Sequence, residues 1–268
     1  MEKIPCTAAI LTYNSAKNLP RALESVKDFA EIIICDGSST DETLAIAGTC
    51  GAHIIAQNSE FKNPDNTLRD YAGVRNQCLD AATHDWFFYI DSDEEATPEL
   101  VSEVRVIASR QPAETFVYNI SPRIVLDGRL IGHSSNYPGW QKRFFNRGSG
   151  ARFRKAIHER ITYDEARYPA GYLAGHWHYF VASGQDVEKN RRYALMDAKL
   201  YATRETGMFL RLAVSKISTI AKVVLKSLFN RFRYGSDKSM PLAVEWTRVA
   251  YQWNILRFLT AAYFGIKL

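Results

Sequence analysis

The sequence predicts an α/β protein: a doubly wound, mostly parallel sheet over residues 1–95, a mixed second half to residue 182, and a helical segment from 183 to 268. Three observations carry this. Short apolar runs alternate with stretches of helical spacing, the pattern of repeated βα units with right-handed crossovers. Trp86-Phe87-Phe88-Tyr89-Ile90 is apolar at every position, as a strand covered on both faces must be. Beyond Ser183-Gly184 the alternation stops and long helical patterns take over.

Taken in order, Thr7–Leu11 reads as a strand and Ala16–Lys27 as a helix with Leu19, Leu23 and Val26 on one face. Ile32–Cys35 is the second strand and Asp41–Thr49 the second helix; His53–Ala56, Leu68–Ala82 and Trp86–Ile90 continue as strand, helix and strand. Thr97-Pro98-Glu99 looks like a helix cap with proline at the first position. Between Thr115 and Arg160 the strand-like pieces are shorter, broken by Asp127-Gly128, Pro138-Gly139 and Gly148-Ser149-Gly150, with Gln141–Phe145 the clearest. Asp186–Glu205, Met208–Phe229 and Pro241–Phe264 read as helices, with Gly207 and Tyr234-Gly235-Ser236 marking the breaks.

The formal charge of +5 conceals an asymmetry: residues 183–268 carry fifteen Lys/Arg against six Asp/Glu, a balance of +9, which leaves −4 on residues 1–182. No nucleic-acid recognition motif accompanies the basic charge, so no nucleic acid is expected as a partner. Cys6, Cys35, Cys50 and Cys78 lack metal-ligand spacing and read as reduced thiols, those of Cys6 and Cys35 buried in strand-like runs. Met1-Glu2-Lys3-Ile4-Pro5 enters a strand with no signal core. No stretch reaches the roughly 18 to 20 apolar residues of a membrane span. The expected location is cytoplasmic.

Ligands of open α/β sheets collect at the carboxyl ends of the strands. Three loops should meet there: Thr12-Tyr13-Asn14, the run from Asp36-Gly37-Ser38-Ser39-Thr40 to Thr43, and Asp91-Ser92-Asp93. Asp91 and Asp93 are two apart and share a face in extended chain; their hard oxygens suit Mg2+ or Mn2+ on a phosphate. A strand followed by an acidic helix start would look the same. Asp36, at a strand tip, could accept a hydrogen bond from a base or ribose. Arg75-Asn76 supply donors suited to phosphate or base, or else a solvated helix face.

Jointly these segments resemble the family 2 glycosyltransferases, whose GT-A fold opens with a Rossmann-like nucleotide-binding half. The resemblance rests on Ile10-Leu11-Thr12-Tyr13-Asn14, on Asp36 to Thr43, and on Arg75-Asn76 followed by Asp85-Trp86 and Ile90-Asp91-Ser92-Asp93-Glu94, and it covers about residues 4–180. Within the family the chain looks most like small bacterial enzymes that extend lipopolysaccharide cores or related surface glycans. The resemblance implies metal-dependent, inverting transfer of a sugar from a nucleotide-diphosphate donor, a UDP-sugar first, to a glycolipid or polysaccharide acceptor. It implies that Thr12, Tyr13, Asn14 and Asp36 contact base and ribose, with Arg75 near the base or diphosphate and Arg69 a second candidate. It also implies that Asp91 and Asp93 hold the divalent cation, Asp91 partly through ribose or water.

Inverting transfer to a hydroxyl needs a carboxylate base. In the enzymes this chain resembles, a His-Glu pair follows the mixed sheet, and Ala156-Ile157-His158-Glu159 fits: Glu159 as base, His158 orienting a substrate or the diphosphate. His176, in His176-Trp177-His178, is a further candidate metal ligand. Arg143 could reach a phosphate, and Trp140 could stack on a sugar face or belong to the core.

Met208–Phe229 sets Phe209, Leu212, Ile217, Ile220, Val224 and Leu228 against Arg211, Lys216, Lys222 and Lys226, and Trp246 to Leu268 is rich in aromatics. Such helices suit peripheral contact through 208–268 with the cytoplasmic face of the inner membrane, or packing on protein. Two other functions remain open. A haloacid-dehalogenase-type phosphohydrolase also places Asp-x-Asp after an apolar strand, though nearer the start of the fold and with Thr or Val where Glu95 stands. A non-catalytic sugar-nucleotide-binding relative would keep the same fold.

Overall fold

In a computed structural model of the chain, residues 2–110, 112–181 and 187–266 are described. The chain divides into two compact units, Met1–Arg123 with Pro138–Phe180, and Ile124–Tyr137 with Val181–Leu268. Residues 124–137, which the sequence pattern groups with the N-terminal part, therefore belong with the C-terminal helices.

The first unit begins with β1 (Ile4–Thr12), α1 (Leu19–Val26), β2 (Phe29–Asp36), α2 (Thr43–Thr49) and β3 (His53–Ala56). α3 (Tyr71–Ala81), β4 (Trp86–Asp91), β5 (Glu94–Ala96) and α4 (Pro98–Ala108) follow. Caps set several of these starts. Pro20 stands in the first turn of α1, Asp70 Oδ1 accepts from Gly73 N at 2.9 Å to begin α3, and the Thr97 hydroxyl accepts from Leu100 N at 3.3 Å with Pro98 opening α4. α1 thus begins three residues later than the apolar spacing alone suggests, and so does α3.

The second half contributes β6 (Val117–Leu126), β7 (Arg129–Ile131), β8 (Gln141–Asn146), β9 (Arg152–Arg154), β10 (Arg160–Thr162) and β11 (Gly171–Val181). The sheet order is β3-β2-β1-β4-β8-β6-β11-β5. β3, β2, β1 and β4 run parallel, whereas β8 pairs antiparallel with both β4 and β6, and β11 with β5. This is the mostly parallel sheet with a mixed second half that the sequence predicts. β6 and β11, ten and eleven residues long, exceed the short pieces expected there. At the far end of β6, Asp127 (φ 48°) and Gly128 (φ 79°) make a hairpin turn to β7 in which both residues have positive φ.

β4 explains why its sequence is apolar throughout. Trp86, Phe88 and Ile90 face a core built with α1 and α4; Phe87 and Tyr89 face the other, built with α3 and β9. The packing is aromatic, with Trp86 stacked on Phe144 at 4.6 Å between centroids and Phe29 on Phe88 at 5.5 Å.

The second unit holds α5 (Val187–Tyr201), α6 (Thr206–Tyr234) and α7 (Leu242–Tyr263). Ala194 and Ala198 of α5 pack on Ile255, Phe258 and Leu259 of α7, with Phe209 and Leu212 of α6 alongside. Gly207 lies inside the first turn of α6 rather than at the break. The start of the predicted helix Asp186–Glu205 lies outside the described residues. Among the described residues no helix is long and apolar enough to cross a membrane.

Two glycines test this packing in opposite directions. A Cβ at Gly175 on β11 would run into the backbone of Leu100 on α4, whereas one at Gly48 inside α2 would meet nothing. Gly175→Ala should lower stability by about 1–3 kcal/mol. Gly48→Ala should raise it by about 0.5–1 kcal/mol, both read from urea unfolding midpoints.

Candidate active site

β1 is central in the parallel half, and its register locates the site. Thr12 is level with Asp36 on β2, and Leu11 with Asp91 on β4, so the three predicted loops leave the sheet at adjacent points. The first two loops are tied to each other. Asp36 is buried and accepts four hydrogen bonds: at Oδ1 from the hydroxyls of Thr12 (2.8 Å) and Ser39 (2.6 Å), at Oδ2 from the amides of Ser38 (2.9 Å) and Ser39 (2.8 Å). A carboxylate offers about four acceptor positions, so those of Asp36 are occupied in shaping the loop. Asn14 latches the same loop: its amide donates to Ser39 Oγ at 2.8 Å, and its Oδ1 accepts from Thr40 N at 2.8 Å. Tyr13, next to it, is left exposed.

Gly37 is needed for this close approach, because a Cβ there would come within 3.1–3.2 Å of Gln57 Oε1, the Thr12 carbonyl and Tyr13 Cβ. Lys62 Nζ (3.0 Å) and Asn66 Nδ2 (3.1 Å) both donate to the Gly37 carbonyl. Neither residue is singled out by the sequence, since a Lys and an Asn in an irregular segment carry no motif. Arg69 is exposed and donates to the Glu60 carbonyl at 2.7 Å; among the described residues it makes no bond to those around Arg75.

Arg75 carries the centre of the site. It sits in the middle of α3, almost fully buried, and bridges two carboxylates: its Nη2 to Asp91 Oδ1 at 2.6 Å and its Nε to Glu159 Oε1 at 2.6 Å. The Tyr89 ring lies against the guanidinium at 4.4 Å. Glu159 and Asp91 are 84 and 16 residues from Arg75 in sequence, so no local pattern joins them. Glu159 reaches Arg75 because the loop between β9 and β10 is fixed against α3. Asn76 clamps Phe153 with two 3.0 Å bonds, Asn76 Nδ2 donating to the Phe153 carbonyl and Phe153 N to Asn76 Oδ1, while Tyr71 N donates to the Ala156 carbonyl at 2.9 Å. Asn76 is thus a structural clamp in the Arg75-Asn76 pair. Loss of solvent around Asp91 works to raise its carboxyl pKa, and the charges of Arg75 and Arg143 outweigh it, holding the group below its ordinary value.

A second buried pair supports the first. Glu94 takes both Nη1 and Nη2 of Arg143, accepts from Trp177 Nε1 at 3.0 Å, and accepts from Asp91 N at 2.8 Å. Arg143 is therefore not a free phosphate contact: it is buried, locked on Glu94, and covered by the rings of Trp177 (4.1 Å) and Tyr89 (5.0 Å).

The Asp91-Ser92-Asp93 triplet is not extended chain. It turns at Ser92–Asp93 into β5, held by Ser92 Oγ to Ser15 Oγ at 2.9 Å and by Arg21 Nη2 donating to the Asp93 carbonyl at 3.2 Å. The argument from shared faces of a strand therefore does not apply; the turn, not strand alternation, places the two carboxylates. His176 is not brought to this turn. It lies opposite Thr97, beyond the Trp177–Ala96 pair, and its ring Nδ1 is 3.2 Å from the Ser121 carbonyl. Among the described residues no three His, Cys, Asp or Glu side chains converge as a ready-made metal cage. His158 stands on the exposed bend beside Glu159 with φ 53°, and Lys155, Asn14 and Ser38 share this left-handed conformation, so backbone strain of about 1 kcal/mol or more each collects in the site loops. Trp140 packs edge-on to Tyr172 at 5.0 Å, both exposed, so it is not core.

Residues 7–165 match the profile of Glycosyl transferase family 2, well over half of the chain. The chain belongs to that family. Membership removes the dehalogenase-type reading. An uncharacterized glycosyltransferase of Rickettsia felis is 36% identical over 122 residues, 45% of this chain and 39% of that protein. The SPbeta prophage-derived glycosyltransferase SunS of Bacillus subtilis is 32% identical over 103 residues, 38% of this chain and 23% of SunS. The matched stretches thus span about two fifths or less of these relatives' own lengths. Among solved structures, Staphylococcus aureus TarS 1-349 in complex with UDP-GlcNAc aligns with a TM-score of 0.48 at 16% identity, covering 99% of this chain and 93% of that one.

The buried Glu94–Arg143 pair of this family 2 chain can be tested by itself. Arg143→Met leaves the Glu94 carboxylate buried and unpaired, and should cost about 3–5 kcal/mol in urea unfolding. Adding Glu94→Leu should recover most of that loss.

Proposed function

We propose that the chain is the catalytic part of an inverting glycosyltransferase that moves a sugar from a nucleotide-diphosphate donor, a UDP-sugar first, to a hydroxyl of a glycolipid or polysaccharide. The observation that carries this is the Arg75 bridge, which brings a turn bearing Asp91 and Asp93 and the carboxylate of Glu159 to one place at the carboxyl end of the parallel strands. The surface-glycan setting, and peripheral contact of residues 208–268 with a cytoplasmic membrane face, belong to the same reading.

Each loop has a separable task. The Thr12–Asn14 and Asp36–Thr40 loops, shaped by Asp36, would receive base and ribose on Tyr13 and on the loop backbone. Asp91 and Asp93 would hold a divalent cation, Mg2+ or Mn2+; two carboxylates at a half-buried turn suit a hard ion whose remaining ligands would come from the donor's phosphates and water. That ion, when bound, stabilises charge on the departing diphosphate.

Glu159 has Oε1 on Arg75, and Oε2 accepts no hydrogen bond from a described residue. Oε2 would take the acceptor's hydroxyl proton while that oxygen forms its bond to the anomeric carbon. The bond from that carbon to the diphosphate oxygen breaks, and the electron pair leaves with the diphosphate. Arg75 orients the base and balances the two carboxylates, and His158 beside it would orient a substrate.

The test is release of nucleoside diphosphate from UDP-, GDP- and dTDP-sugars with a bacterial glycolipid extract as acceptor. Wild type should turn over one donor class. Glu159→Gln should slow it by about 10^2- to 10^4-fold with the donor KM little changed. No release from any donor would favour a non-catalytic sugar-nucleotide-binding role, and an unaffected Glu159→Gln would remove Glu159 as base.

A further inference from the structure

α6 is 29 residues long, yet only Ser227 and Asn230 of it are buried. A helix that merely closes a core buries its apolar stripe and exposes its polar one. α6 does otherwise. Leu210, Val214, Ile217, Ala221, Leu225, Leu228 and Phe232 are all exposed, Leu225 at 68% and Phe232 at 93%. They follow one another at steps of 4, 3, 4, 4, 3 and 4 residues, so they form a single apolar stripe down one side of the helix. At 1.5 Å per residue the stripe is about 33 Å long. It continues onto α7: Leu228 and Trp246 line one cavity of about 350 Å³ between the two helices, and Leu242, Trp246 and Trp253, at steps of 4 and 7, are exposed on α7. Exposed apolar surface of this extent marks an interaction site.

The charge on the same helix says what covers it. Between Glu205 and Asp237 the chain has Arg211, Lys216, Lys222, Lys226, Arg231 and Arg233 and no carboxylate at all. A second copy seated on the stripe would bring two such cation rows together, which like-charge repulsion opposes. The stripe advances about 3.7 residues per step, close to the helical repeat, so it stays on one side of α6 as a continuous apolar face. Apolar side chains beside Lys and Arg, with tryptophans at the margin, suit the boundary between headgroups and acyl chains.

We infer that the exposed stripe of α6, with Leu242, Trp246 and Trp253 of α7, is a docking face for an anionic lipid membrane, on which α6 lies in the plane of the surface. This deepens the peripheral-contact part of the proposed function and rests on it only in placing the contact in the C-terminal helices. The recognised chemistry is the acidic headgroup layer, not a particular glycolipid.

Co-sedimentation of the full chain with vesicles tests it without requiring turnover, so its failure is distinct from failure of the transferase reading. Vesicles of equal parts phosphatidylglycerol and phosphatidylcholine should bind the protein at least tenfold more tightly than vesicles of phosphatidylcholine alone. Leu225→Glu with Phe232→Glu, both fully outside the core, should leave circular dichroism unchanged and weaken binding to the anionic vesicles at least tenfold. Wild-type protein that stays in solution with both vesicles, or a double variant that binds as well as wild type, would overturn the inference. So would a dimer in light scattering that the double variant dissociates while vesicles bind neither protein.

Discussion

One buried guanidinium holds the functional end of the sheet together. Arg75 is taken out of water on a helix that packs against the sheet, and only the two carboxylates it bridges make that tolerable. Because Nε and Nη2 point to different partners, the fork fixes the distance between the end of β4 and the β9–β10 loop. A lysine there would carry the same charge without that geometry. The rest of the site is arranged to keep this bridge in register: Asp70 starts α3 at the right turn, Asn76 and the Tyr71 amide pin the loop that delivers Glu159, and Glu94 holds the amide of Asp91 from below.

The polar interior is thus a connected lattice rather than scattered charges. Tyr89 lies against both Arg75 and Arg143, and burial raises its phenol pKa, so it acts as an apolar spacer between two cations. Burial also raises the carboxyl of Glu94, against the attraction of Arg143. Such a lattice contributes position more than stability, since each charge must be desolvated before it can be paired. Position is what the proposed transfer would require, because the leaving diphosphate, the anomeric carbon and the base would have to lie in line.

The parallel half of the fold was legible in the sequence because its signals are local. β4 is apolar from Trp86 to Ile90, β3 falls where the pattern puts it, α2 ends there but starts two residues later, and Pro98 opens α4. The long strands β6 and β11 were not, because one carries Pro122 and an irregular burial pattern and the other interleaves glycine and histidine with its aromatics. For the site, the loops themselves could be read, but not what their residues touch. Asp36 looks like a ligand contact in sequence, and the partners it shows are those that shape its own loop. Arg143 looks like a strand-edge cation and is buried on Glu94. Asp91 and Asp93 look like alternate residues of a strand and flank a turn. Glu94 on Arg143, and Ser15 and Arg21 on the turn, lie far away in sequence, where periodicity carries no information, while Asp36 takes three of its four bonds from Ser38 and Ser39 and only the one from Thr12 is distant.

The central claim is that Arg75 organises a metal-dependent nucleotide-diphosphate site. The most direct measurement is a calorimetric titration of UDP into the protein with Mn2+ and with EDTA, repeated for Arg75→Lys. The account predicts binding that needs the metal and is lost or weakened at least tenfold in Arg75→Lys, because one ammonium cannot span both carboxylates and the turn loses its fixed position. Binding of UDP that is indifferent to the metal, or unchanged by Arg75→Lys in a folded protein, would contradict it.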